Sequence, residues 1–470
     1  MTLPLLGAAC LAAAALSAGR ESAAIRGGTL VQPDGSRLEN AIVVIENGRI
    51  TAVGADVPIP ADALVHEAAG KVLFPGMLLA HAQIGLDVTN ENVPVAPFVN
   101  VYDAIEPNSM EWEECLRGGI ATVHVIQGNN TVIGGLSRIV RPVGDMVEAM
   151  TVRPDYALKI SITPRAGFNR MTQMAELRRA FEDLQQHVND VAERRYEEEK
   201  KRKDEKVLVP PEEAVKEGMK LVTIDDLEAK WRTLWRASRG EIPLFVHCDR
   251  AADVVRGIEW LKEMKLLEKS VFVVGTEAFK VVNELKAAST GRPVILSGIL
   301  VHEETDRRTG KVVETFVPKV FADAGVPFVL QPNGFGFSAD GQLWYQAARC
   351  VREGVARDVA LKSVTQSAAD AIGMGDVLGA IAPGRWGNVA ILSGDPLAQA
   401  TWVEKLLIEG RQIYDRAEDR RLKELITGQE EPPAPPGAQG ADPATAPGAA
   451  SGNGKGDAPP KAPADAPKDE

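Results

Sequence analysis

The 470-residue chain has only four cysteines, Cys10, Cys115, Cys248 and Cys350, and no CxxC pair. So widely spaced, they supply neither a disulfide framework nor a zinc knuckle. Basic charge is in short supply as well: 53 Lys and Arg stand against 65 Asp and Glu, for a net charge of −12. That balance argues against a nucleic-acid partner, because the backbone phosphates would be repelled. Long apolar runs are missing apart from one near the start, so no membrane span is expected elsewhere. That first run, within residues 1–20, reads as the hydrophobic part of a secretory signal, although no basic segment precedes it. Export to the periplasm or the exterior is the expectation, with a cytoplasmic location as the alternative.

What is present is ample core material. With 45% hydrophobic residues, the chain can fill one large core and a second, smaller domain. Residues 21–75 read as short strands, with Asn47-Gly48 between alternating apolar runs as a hairpin signal. A similar pattern returns over 376–427, which predicts a composite β-sandwich domain built from both ends of the chain. Between them, residues 76–375 alternate short apolar runs with helical stretches. Those runs include Ala121-Thr-Val-His-Val-Ile126, Leu158-Lys-Ile-Ser-Ile162, Leu244-Phe-Val-His247, Val271-Phe-Val-Val274 and Phe328-Val-Leu330. Such alternation points to an α/β fold, a TIM-type (β/α)8 barrel or a doubly wound sheet. A highly charged helical excursion spans 171–240; its mixed signs read as a solvated face. From 428 to 470 the chain is rich in Pro, Ala and Gly, a composition expected to stay disordered.

One run carries specific chemistry. Val72-Leu-Phe-Pro-Gly-Met-Leu-Leu-Ala-His81-Ala-Gln83 ends in His-x-Gln. Alternate residues of a strand face the same side, so a His-x-His ending can hold a divalent metal. Here His81 is present and Gln83 takes the second place; an amide oxygen is a poor ligand for zinc-like metals.

These pieces together resemble the amidohydrolase superfamily, in particular its exported imidazolonepropionase-like branch, over roughly residues 25–425. Phe74-Pro-Gly-Met-Leu-Leu-Ala-His81 is similar to the family's Pro-Gly-x-x-Asp-x-His-x-His strand. Gly119-Ile-Ala-Thr-Val-His-Val with Asn130-Thr-Val-Ile-Gly-Gly135 resembles the next strand and its glycine loop. Pro243-Leu-Phe-Val-His-Cys-Asp-Arg-Ala-Ala-Asp253 is similar to the strand of a later metal histidine. Leu378-Gly-Ala-Ile-Ala-Pro-Gly384 and Leu392-Ser-Gly-Asp-Pro-Leu397 resemble the return into the small β domain.

The resemblance implies one or two divalent metals held by four histidines, an aspartate, and a carboxylated lysine or a glutamate. The metal acidifies a bound water and the aspartate shuttles its proton during attack on a non-peptide C–N bond. Carried over by position, His81 matches the first histidine, Gln83 replaces the second and His247 matches the third. Val274 takes the place of the fourth. Asn333 stands at the expected catalytic aspartate, and an amide cannot accept that proton. Lys159 lies on a strand where this branch often carries a lysine. Leu79 stands where an aspartate often precedes the pair, and Pro164 where a glutamate is expected.

Other residues could rebuild the shell: His124, Asp249, His302, Glu303 and Asp340 all lie in or after strand-like runs, though each also reads as an ordinary core, surface or loop residue. His81 and His247 read equally as buried, hydrogen-bonded histidines, and Lys159 as a lysine with its stem packed. Glycines in the loop 130–135 suit tight turns as well as ligand binding. Cys248 follows His247 directly, so it should face the other side of its strand and not pair with it.

Three functions follow. The first is an amidohydrolase-like protein that has lost most or all hydrolytic activity and binds a small molecule. The second is a hydrolase with a reduced, mononuclear site acting on a cyclic amide or related compound. The third is a purely structural or interaction protein. The expected cofactor is none, or one weakly held Zn or Mn on His81 and His247, with Gln83 and Lys159 as further candidates. Expected partners are a small-molecule ligand, a second copy of the chain or an active relative.

Overall fold

A computed structural model of the chain describes residues 22–205, 209–334 and 342–428. The expected signal segment, Asp340 and the tail from 429 onward lie outside the described residues. No described helix is long and apolar enough to cross a membrane. By its contacts the chain divides after Asp419, and the short helix Arg420–Thr427 falls in the second unit.

The first strands are β1 (Ser22–Val31), β2 (Arg37–Glu46), β3 (Arg49–Gly54), β4 (Leu64–Glu67) and β5 (Val72–Pro75). β2 and β3 are joined by Asn47-Gly48, both at positive φ (51° and 76°), as the two-residue hairpin turn requires. The middle strands are β6 (Met77–Ala82), β7 (Ile120–Val125), β8 (Ile133–Leu136), β9 (Arg138–Val140), β10 (Thr151–Arg153), β11 (Leu158–Ser161), β12 (Leu244–Cys248), β13 (Ser270–Val274), β14 (Val294–Leu296), β15 (Val301–Thr305), β16 (Val312–Phe316) and β17 (Phe328–Val329). The last are β18 (Val389–Leu392), β19 (Val403–Ile408) and β20 (Arg411–Asp415).

One eight-stranded sheet runs β20-β19-β18-β5-β1-β2-β3, with β4 also on β1, so both ends of the chain contribute to it. Its core gathers Ile25, Val43, Ile45, Leu73, Val389 and Leu407.

The middle of the chain is a mixed α/β region whose sheets differ from the expected TIM-type barrel in two ways. β8 and β9 are one strand bent at Ser137. It pairs antiparallel with β11 through β8 and with both β7 and β10 through β9. The ladder then continues β11-β12-β13-β14-β17, all parallel. Nor is the circle closed by strand pairing among the described residues. Between β6 and β17 the chain at Ser363-Val364 intervenes: Leu78 donates its N–H to the Val364 carbonyl (3.1 Å) and Leu330 to that of Ser363 (3.2 Å). Backbone groups left over at the two edges are thus satisfied without a ladder.

Alternation sorts each stave into two faces. Leu78, Ala80, Phe245, Val271, Val273, Ile295 and Val329 share one buried cluster. Leu79, Val123, Ile160, Val246, Val274, Leu296 and Phe328 pack outward, in the cluster that contains the helical residues. The charged excursion is more than a solvated face. Its helix Arg170–Arg202 starts at Asn169, whose side chain accepts from Thr172 N–H, and it buries Met174, Leu177, Phe181, Leu184, Val188 and Val191. That helical spacing of apolar residues is masked in the sequence by the surrounding charges.

Candidate functional site

Strict alternation from Leu78 and Ala80 would turn His81 outward. An irregularity in the β6–β7 pairing between Leu79 and Ala82 re-aims it. His81 is buried (4% exposed) and its Nε2 lies 2.7 Å from Lys159 Nζ. Lys159 is fully buried on β11, and its amine also donates to Asn129 Oδ1 at 2.5 Å. Burial pulls this amine down to about 7. Such a shift corresponds to on the order of 5 kcal/mol against the charged form. No carboxylate pairs with it among the described residues.

On the next stave, His247 Nδ1 lies 3.3 Å from Ser161 Oγ, which itself donates to the Thr163 carbonyl at 2.9 Å. The hydroxyl hydrogen being used there, His247 donates from Nδ1 and keeps a free lone pair on Nε2. Burial, then the Lys159 charge, holds His247 down to about 3, and the same two causes hold His81 well below its usual value. Both imidazoles are therefore neutral at pH 7.

His81, Lys159 and His247 are thus brought to one place. The other expected residues are not. Gln83 is half-buried at the rim and makes no side-chain hydrogen bond among the described residues. Asn333 is exposed, and its backbone packs against Gly298 beyond β14. Val274, expected at a histidine position, faces outward; the residue opposite His247 is Val273, so the lumenal place belongs to that face. Asp249 and Glu303 are exposed, while His302 Nδ1 meets Thr276 Oγ1 at 2.9 Å on the β15–β16 hairpin. Cys248 is buried on the outer face, as expected, where burial raises its thiol well above the ordinary range.

His124 is a core residue. Its Nδ1 donates to the Ala80 carbonyl (2.8 Å), so its Nε2 accepts from Ser137 Oγ (2.7 Å), which in turn accepts from Ala157 N–H (3.0 Å). Burial brings it down to about 4.

Two residues not singled out from the sequence complete the site. Asn129 holds the lysine. Gln127 is buried, its Oε1 accepts from Gly135 N–H at 2.7 Å, and its Nε2 has no partner. Exchanging its amide atoms would set NH2 against N–H, so the unpartnered atom is the nitrogen. Both residues directly follow the run that ends at Ile126, the place where a barrel carries its chemistry; that was the available signal.

The donor set does not fit a divalent metal. Catalytic zinc typically takes three good protein ligands. The His81 lone pair faces an amine, and among the described residues no group of three His, Cys, Asp or Glu could hold a metal.

No family model matches the chain. It is 24% identical over 407 residues to the amidohydrolase tasK of Hapsidospora irregularis, a match that covers 79% of this chain. The chain spans about 40% of the length of that curated relative. A solved amidohydrolase from Thermotoga maritima MSB8 superposes with a TM-score of 0.69 at 22% identity, over 84% of this chain and 100% of its own. The likeness to that solved amidohydrolase is one of fold. In this chain Lys159, Asn129 and Gln127 lie beside two neutral histidines.

Proposed function

We propose that this chain is an amidohydrolase-fold protein that has lost the family's metal-dependent hydrolysis and uses its lumen to bind a small molecule. The observation that carries this reading is the 2.7 Å contact between Lys159 Nζ and His81 Nε2. An amine there takes the lone pair that a metal would need, and no acid stands at Asn333 to move a proton. Metal analysis by mass spectrometry, on protein purified without chelator and after zinc or manganese loading, tests it. Retention well below one metal per chain is expected. One tightly held metal that is lost in His81→Ala would overturn the reading.

A second reading is favoured by the likeness to the Hapsidospora irregularis amidohydrolase. It is a hydrolase with a mononuclear Zn or Mn on His81 and His247, acting on a cyclic amide or related compound. Turnover that depends on both histidines and is abolished by chelation would support it over the first. Export, and association with a second copy or an active relative, complete the proposal.

A further inference from the structure

At the start of β6 and β7, the strand ends opposite His81 and Asn129, a cavity of about 220 Å³ lies between the eight-stranded sheet and the middle of the chain. We propose that it is a binding site for a small, uncharged aromatic molecule of one or two rings.

Short side chains leave the space. The helix Met110–Arg117 hands over to β7 through Gly118-Gly119, and Gly119 sits at φ +74°, which a side chain would strain. Its missing Cβ would stand 3.1 Å from Val403 Cγ2 and 3.6 Å from Met77 Cε, both on the cavity wall. Ala390 of β18, also on the wall, adds only a methyl group. Concave, mostly apolar sites of this kind are what small molecules favour.

Two indoles, Trp344 and Trp402, stand on the wall. Trp402 is 47% exposed and yet held: its Nε1 donates to Glu404 Oε1 at 3.1 Å, and the Arg416 guanidinium lies 4.8 Å over its ring. An aromatic wall fixed in advance binds without an ordering cost.

The same walls define the occupant. Arg117, the charged residue on the wall, is already paired with Glu113 (3.0 Å), Glu114 (2.9 Å) and Asp419 (2.7 Å). No cation is left over for an anion, and an unpaired charge among apolar walls is costly, so the ligand is neutral. Aromatic rings gain from offset or edge-on contact with Phe74 and the indoles, and the Met77 thioether suits a ring edge. A dry apolar cavity of about 150 Å³ takes up benzene. The larger volume here therefore leaves room for a substituted ring or two fused ones. Lying at the opposite strand ends, the cavity is independent of whether a metal binds at His81.

The test is calorimetric titration of the full chain with toluene and with indole, and with benzoate as the charged control. One molecule of toluene or indole per chain is expected, with benzoate at least tenfold weaker than toluene. The bound hydrocarbon should also raise the thermal unfolding midpoint. Ala390→Phe, which places a ring in the space itself, and Trp402→Ala, which removes a wall near the surface, should each weaken binding at least tenfold. Fold is checked by circular dichroism, and Trp402→Ala decides alone if Ala390→Phe does not fold. No binding of toluene or indole, binding unchanged in Trp402→Ala, or benzoate bound as tightly as toluene overturns the inference.

Discussion

Lys159 Nζ and His81 Nε2, 78 residues apart in sequence, meet at 2.7 Å. The amine occupies the imidazole's lone-pair direction, and no carboxylate pairs with it among the described residues. Several consequences can be measured.

The first concerns alkaline stability. The Lys159 amine is lowered to about 7 in the fold, against 10.5 when solvated. Between those values the unfolded chain binds the extra proton, so stability should rise with pH from about 7 toward 10.5. The gain is on the order of 5 kcal/mol if this group acts alone. Urea unfolding at pH 7 and pH 9.5 measures it; in Lys159→Met that rise should vanish. An equal rise in the variant would remove Lys159 as its source.

Acid should act through His124. Its imidazole is neutral in the core and lowered to about 4, from 6.5. The unfolded chain therefore takes up the proton first, and stability is lost as pH falls from about 6.5 to 4, by on the order of 3 kcal/mol. His124→Phe should start less stable at pH 7, because Ala80 O and Ser137 Oγ lose a partner, yet lose less between pH 7 and pH 4.5. The difference between those two losses is the quantity to measure.

Restoring one ligand should not restore a metal site. Gln83→His rebuilds the His-x-His ending, but the Lys159 amine still faces His81. We expect no stoichiometric zinc in that variant and measurable zinc in Gln83→His with Lys159→Gln. Stoichiometric zinc in the single variant would show that the amine yields.

Packing around the site's first loop depends on Gly85. Its φ is +69°, and a Cβ there would fall 1.9 Å from Trp112 Cζ2, a buried ring atom. Gly85→Ala should cost about 2 kcal/mol or more, from overpacking and from strain at positive φ. Trp112 should report it as a change in fluorescence beside the lower unfolding midpoint.

Asp253 should be a structural anchor. Fully buried, it accepts from Arg170 Nε (2.7 Å) and Thr163 Oγ1 (2.9 Å), tying the helix Arg170–Arg202 to the loop after β11. Asp253→Ala should cost about 2–3 kcal/mol, below the range for a fully buried pair because Arg170 is part-exposed. A midpoint within error of the parent would remove it from this role.

Much was readable in the chain itself. Alternating apolar runs marked the staves, and Asn47-Gly48 marked its hairpin, because period-two burial and positive φ leave local signatures. Position along the resemblance named His81, Lys159 and His247, and these three lie near one another. That Gln83 and Asn333 stand where the resemblance expects a histidine and an aspartate was visible by residue type alone.

What a sequence of letters leaves open is which face a residue takes and what it meets there. Alternation gives relative faces only, and cross-strand register assigns them; that is why Val273 and not Val274 faces inward. The bend at Ser137, the antiparallel third stave and the bridging of β6 and β17 through Ser363-Val364 follow from long-range hydrogen bonding, which has no local code. So does the placing of Gln127, whose Nε2 has no partner among the described residues, and of buried Lys159 beside Gly134. Composition and spacing determined a mixed α/β chain; only the tertiary packing decided that the Lys159 amine meets His81 and Asn129.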